Sequence, residues 1–114
     1  MANIYLNAKV DLTATTTTRL YTTPDDTRAI VKSILVSDDT NSGSTITVDL
    51  FSGDPASSPK FNLFKTKTVS GNSTIQLLTE PLILMESEVL EVTAADANRL
   101  HVVASILELN RNDQ

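Results

Sequence analysis

His101 is the only histidine in the sequence, and there is no cysteine. Imidazole is the side chain that most readily takes and gives a proton near neutral pH. A Ser-His-Asp arrangement also needs a nucleophile on a strained, exposed turn, and no G-x-S-x-G elbow is present. His101 sits beside Val103 and Ser105 on the alternate face of the last expected strand, so it reads as a surface or interface histidine. Three carboxylate pairs, Asp25/Asp26, Asp38/Asp39 and Glu86/Glu88, could do acid–base work if their surroundings split their pKa values. All three fall in expected turns, where carboxylates solvate the loop and bond its backbone. "DDTNSGSTITVD" places Asp38, Thr40, Ser42 and Asp49 in a faint echo of a calcium loop. Thr and Ser are weak ligands, and Asp49 sits inside an alternating strand, so a plain turn is expected. Asp38 reads as a solvated turn residue. Without cysteine there is no disulfide scaffold, thiol nucleophile or Cys-based zinc site. The chemistry therefore points away from an enzyme, with no catalytic residue, metal or cofactor expected.

Binding classes narrow in the same way. The net charge of −5 opposes a phosphate backbone, so nucleic acid is not an expected partner. Lys60, Lys65 and Lys67 form the densest basic cluster and read as the wet face of a strand. Sugar platforms stack rings on apolar sugar faces. Here there are two Tyr, three Phe and no Trp, most of them expected in packing. "NST" at Asn72 matches a glycosylation acceptor, a tripeptide common by chance. No apolar run approaches the roughly 20 residues of a membrane helix. "MANIYLNAKVDL" lacks the basic start and apolar run of a signal peptide.

The positioning elements have a period of two. Ile4, Leu6, Ala8, Val10 and Leu12 alternate with Tyr5, Asn7, Lys9 and Asp11, so every apolar side chain but Tyr5 shares one strand face. The Thr-rich stretch predicts a strand over Thr15 to Thr22. Pro24, Asp25 and Asp26 turn the chain, giving a hairpin with "RAIVKSILVS" (Arg28 to Ser37). That strand is apolar on nearly both faces, which predicts a central position with Ile30, Ile34 and Val36 on one side and Val31 and Leu35 on the other. Further strands are expected at Thr45 to Phe51, Lys60 to Val69, Ser73 to Thr79 and Arg99 to Leu109. "EPLILMESEVLEV" has helix-favouring Leu and Glu, but its phase predicts two strands joined by a turn.

The expected architecture is all-β. It is one antiparallel β-sandwich domain over residues 1–114, jelly-roll or Ig-like, with about eight or nine strands. Residues 110–114 read as a polar tail. The first strand, Ala2 to Leu12, is long and regular, and an edge strand is a template for pairing with another chain. Ile4, Leu6 and Val10 are the candidate subunit-contact residues.

"LYTTPDDTRAIVKSILVSDDTNSGSTITVDLF" and "STIQLLTEPLILMESEVLEVTAADANRLHVVASILEL" resemble small all-β bacteriophage virion proteins over about Leu20 to Leu109. The shared pattern is a grammar of strands and turns with no catalytic residues to carry over. Where that group often has Gly-Asp in a tight turn, this chain has Glu86-Ser87-Glu88, so a glycine-demanding turn is not expected there. The resemblance implies a non-enzymatic structural protein made in the host cytoplasm and built into the virion. It would serve as capsid decoration or cement protein, or as a neck, tail or baseplate component. Its partners would be other virion proteins, as a homo-oligomer or in many copies on a symmetric shell. The alternative is a carbohydrate- or receptor-binding module of a tail fibre or baseplate.

Overall fold

The structure, a computed structural model, describes residues 3–53 and 58–110. Nine strands run in order: β1 (Asn3–Leu12), β2 (Thr18–Thr22), β3 (Thr27–Asp38), β4 (Ser44–Ser52), β5 (Phe61–Val69), β6 (Thr74–Gln76), β7 (Leu82–Leu84), β8 (Glu88–Ala94) and β9 (Leu100–Asn110). They form two antiparallel sheets packed as a sandwich. The five-stranded sheet runs β1-β9-β3, with β6 and β7 both against the far side of β3. The four-stranded sheet runs β2-β8-β4-β5. The all-β expectation holds, and the leucine-rich stretch is two strands. Asn110 ends β9, and 111–114 of the expected tail lie outside the described residues.

The pairings nest. β4 pairs β5, β3 pairs β6 and β7, β2 pairs β8, and β1 pairs β9. The chain is thus one long antiparallel hairpin rolled into two layers. Most connections arch from one sheet to the other, including the turn at Pro24. The expected hairpin over Leu20 to Asp39 is therefore an arch, with β2 and β3 in different sheets. Thr15 to Thr17 precede the strand instead of opening it; Thr17 meets Thr93 by a hydroxyl bond of 3.0 Å.

The inner faces supply the core. Leu12, Ile34, Ile46, Leu84, Leu90, Leu100 and Ile106 are the largest fully buried side chains. In β3 the two-sided apolar pattern has a different cause from the expected one. The ladder with β9 slips between Val31 and Ser33, so Lys32 is an extra residue. Such a bulge re-phases the strand. Ala29 and Val31 point inward before it, and Ile34 and Val36 after it. Ile30 and Leu35 therefore face outward, and one core face accounts for the sequence. Beside this bulge the partner strand is also interrupted between β6 and β7. Gln76 Oε1 bridges the gap, accepting the N–H groups of Ile34 (2.9 Å) and Leu78 (3.2 Å).

Candidate assembly surface

The loops at the two ends of the sandwich hold most of the carboxylates singled out in the sequence. At one end the Ser87 N–H donates to the Thr23 carbonyl at 3.0 Å, and the Gly53 N–H to the Ser87 carbonyl at 2.7 Å. Glu86 Oε2 accepts the Asp26 N–H at 2.7 Å, and Glu88 Oε1 accepts the Met85 N–H at 2.7 Å. These carboxylates hold turns together. The Glu88 N–H also closes onto the Met85 carbonyl at 3.1 Å, and Ser87 has φ of 68°. A positive φ at the third position is the glycine-demanding geometry of a type II turn. The expectation against such a turn is thus overturned: Ser87 takes the left-handed conformation itself, held by backbone bonds to Thr23 and Gly53.

At the other end, Asp38 is only 2% exposed, which corrects its reading as a solvated residue. Its Oδ1 accepts from both the N–H and the hydroxyl of Thr40, each at 2.6 Å. Neighbouring loops close over it: the Asp38 N–H donates to the Ser73 carbonyl and the Asn72 N–H to the Thr40 carbonyl. Gly71 lies so close that a Cβ there would stand 2.6 Å from the Asn41 carbonyl carbon. The Thr40 hydroxyl bond chiefly holds the Asp38 carboxyl below its ordinary pKa, with the Arg99 charge and backbone bonds adding and burial opposing. Asp49, the other end of the calcium-like spacing, instead accepts a bond from the Asn62 amide on β5. The structure does not bring Asp38 and Asp49 onto common partners.

His101 sits opposite Asp11 in the β1–β9 ladder, with Nε2 3.2 Å from Oδ1. Lys60 is tied down, 2.7 Å from Glu91 and 5.2 Å from the centre of the Phe51 ring. Lys65 and Lys67 are exposed on β5, an edge strand, where charge discourages pairing with another chain. Asn72 bonds Asn41 through its side chain. Phe51, Tyr21 and Phe64 pack as expected of most aromatics, whereas Tyr5 and Phe61 are 75% and 66% exposed. They lie on edge strands of different sheets and form no common platform.

β1 is an edge strand of the five-stranded sheet, pairing β9 from Asn3 opposite Leu109 to Leu12 opposite Leu100 without a slip. Its other edge carries no strand among the described residues. Ile4, Leu6 and Val10 share its inner side. Burial rises along that side: Ile4 is 49% exposed, Leu6 and Val10 are half-buried against the core, and Leu12 is fully buried. Ile4 is thus the one of the three that is open to a neighbour, and its 49% exposure is what a subunit contact could cover.

Sequence reasoning missed the outer face of this sheet. Tyr5 is opposite Leu107, Leu107 opposite Ile30, and Ile30 opposite Ile83, giving an apolar row across four strands. The available signal was Tyr5, the apolar residue out of phase in β1. The bulge at Lys32 concealed the matching phase of Ile30.

No protein-family model matches the sequence, and no curated protein matches it. Solved structures share the fold. A chain from the acid-stable capsid of Helicobacter pylori bacteriophage KHP30 is 15% identical with a TM-score of 0.58, over 96% of this chain and 90% of that one. A chain from Bacillus endospore appendages, described as disulfide-linked pili, is 14% identical with a TM-score of 0.55, over 95% and 88%. A chain from the T13 IBDV viral particle is 10% identical with a TM-score of 0.58, over 93% of this chain and 30% of that one. At these identities the likeness is one of fold: an all-β sandwich of the kind found in viral capsid chains.

Proposed function

We propose that this chain is a non-enzymatic structural protein of a bacteriophage particle, present in many copies and bound to neighbouring virion subunits. Its place is as capsid decoration or cement, or in the neck, tail or baseplate. The carrying observation is the nested strand pairing, which supports a jelly-roll arrangement over an Ig-like one. The likeness to the phage KHP30 capsid chain, end to end in both chains, supports the virion role. β1 suits a subunit contact, being a long, regular edge with Ile4 exposed beside Leu6 and Val10.

Quantitative mass spectrometry of purified particles tests the role. On the order of hundreds of copies per particle would place the chain on a symmetric shell, and about a dozen in a neck or tail ring. Absence from particles overturns the proposal. Ile4→Lys tests the contact: Ile4 is half exposed, so the variant should fold normally yet be incorporated less. Unchanged incorporation would move the contact away from β1.

A further inference from the structure

We propose that the outer face of the five-stranded sheet docks the acidic loop end of a second copy of this chain, a contact that rests on the many-copy reading above. The row Tyr5, Leu107, Ile30, Ile83 crosses the whole sheet, and its end residues are 75% and 60% exposed. Leu35, 39% exposed, stands opposite Val103 further along the same face. Burial in the core does not account for the apolar side chains there, because the core lies on the opposite side of these strands. A contiguous exposed apolar patch marks a docking surface.

Charge selects the occupant. Arg28 and Lys32 flank Ile30 on β3, and Lys9 projects from β1 on the same side. Among the described residues none of the three has a carboxylate within ion-pair distance. The sheet's outward positions hold one carboxylate, Asp11, which faces His101. Three of the cations with no ion pair among the described residues, Lys9, Arg28 and Lys32, thus stand around the apolar row of a chain of net charge −5, while Arg19, Lys65 and Lys67 lie on the other sheet. The matching surface is an apolar point ringed by carboxylates. The loop end built from Asp25, Asp26 and Glu86 has that chemistry, with Met85 beside it 45% exposed. The Asp26 to Glu86 bond ties its two turns together, so the surface is presented pre-formed. Such a contact uses different surfaces on the two copies, and repetition gives a ring or a filament.

Sedimentation velocity on the purified chain at low salt provides the test. The wild type should associate with rising concentration, and added salt should weaken the association. Arg28→Glu with Lys32→Glu, and separately Asp25→Lys, should each weaken it by at least about tenfold. Mixing the two variant proteins should restore pairwise association, since the intact face of Asp25→Lys then meets the intact loop end of Arg28→Glu/Lys32→Glu. Ile83→Asp should abolish it with melting unchanged, because Ile83 is exposed. A wild type that stays monomeric overturns the contact, as does indifference to Arg28→Glu/Lys32→Glu. Sensitivity to the face variants but not to Asp25→Lys also overturns it, because the occupant is then a different surface. Copy number in purified particles is read independently, so a monomeric chain still abundant in particles would sink this contact and leave the virion role standing.

Discussion

The Tyr21 hydroxyl, on β2, donates a hydrogen bond to the Glu108 carboxylate on β9, joining the two sheets through polar side chains. Burial pushes the phenol above its ordinary pKa of 10.0, and the Glu108 bond and charge push it further. Tyr21→Phe removes the donor and leaves Glu108 half-buried without it. The expected loss is about 1–2 kcal/mol, since hydrogen bonds to charged groups exceed neutral ones but this one is partly solvated. Because the folded pKa is raised, the stabilisation is complete below pH 10.0 and is lost as pH rises toward the folded value. Urea melts across the alkaline range should show a steeper decline for wild type than for Tyr21→Phe. Parallel declines would mean that the bond does not persist in solution.

Asp38 has the opposite sign. Its folded pKa lies below the ordinary 3.8, so its contribution is present above pH 3.8 and lost as pH falls toward the lower folded value. Asp38→Ala should lower Tm at neutral pH, because the Thr40 N–H and hydroxyl lose their acceptor. The gap to wild type should close in acid. Equal melting temperatures at neutral pH would return Asp38 to the status of a solvated turn residue.

Neighbours in a strand face opposite sides, and the bulge at Lys32 sets which of Ile34 and Leu35 faces the core. Ile34 is 0% exposed and Leu35 is 39% exposed. Ile34→Asp should leave the domain unfolded, since an unpaired buried carboxylate costs several kcal/mol, comparable with total stability. Leu35→Asp should cost less than about 1 kcal/mol. Circular dichroism melts of the pair decide it, and a reversed order would place the bulge elsewhere.

Ser87 occupies left-handed backbone space at φ 68°. A β-branched side chain is strained there, so Ser87→Val should cost about 1–3 kcal/mol. Ser87→Gly should be within about 1 kcal/mol of wild type, because glycine relieves the strain but loses more freedom on folding. If valine is tolerated as well as glycine, the turn relaxes to another form.

Much of this architecture was legible because alternation in segments such as Ile4 to Leu12 maps directly onto one sheet face. What escaped depends on contacts between distant segments. Lys32 and Ser33 look like ordinary polar strand residues, and only the β9 ladder reveals the inserted one. Asp38 looks like loop until Ser73 and Asn72 arrive from across the chain to cover it. Ser87 carries no mark of its positive φ, which its bonds to Thr23 and Gly53 impose. The candidate contact at Ile4, Leu6 and Val10 was legible as a strand face. The differing cover over those three residues was not, because it depends on how far the opposite sheet reaches.

β9 lies between β1 and β3, and it is the last of the nine described strands in chain order. A nascent chain emerges N-terminus first. While it does so, β1 has no partner and the outward row from Tyr5 to Ile83 cannot assemble, because Leu107 is still missing from its middle. A growing polypeptide therefore exposes no finished outer apolar row to its neighbours on the same messenger. Were that row the self-contact proposed above, translation order itself would separate folding from assembly, and copies would become competent to associate only once β9 had slid into its slot.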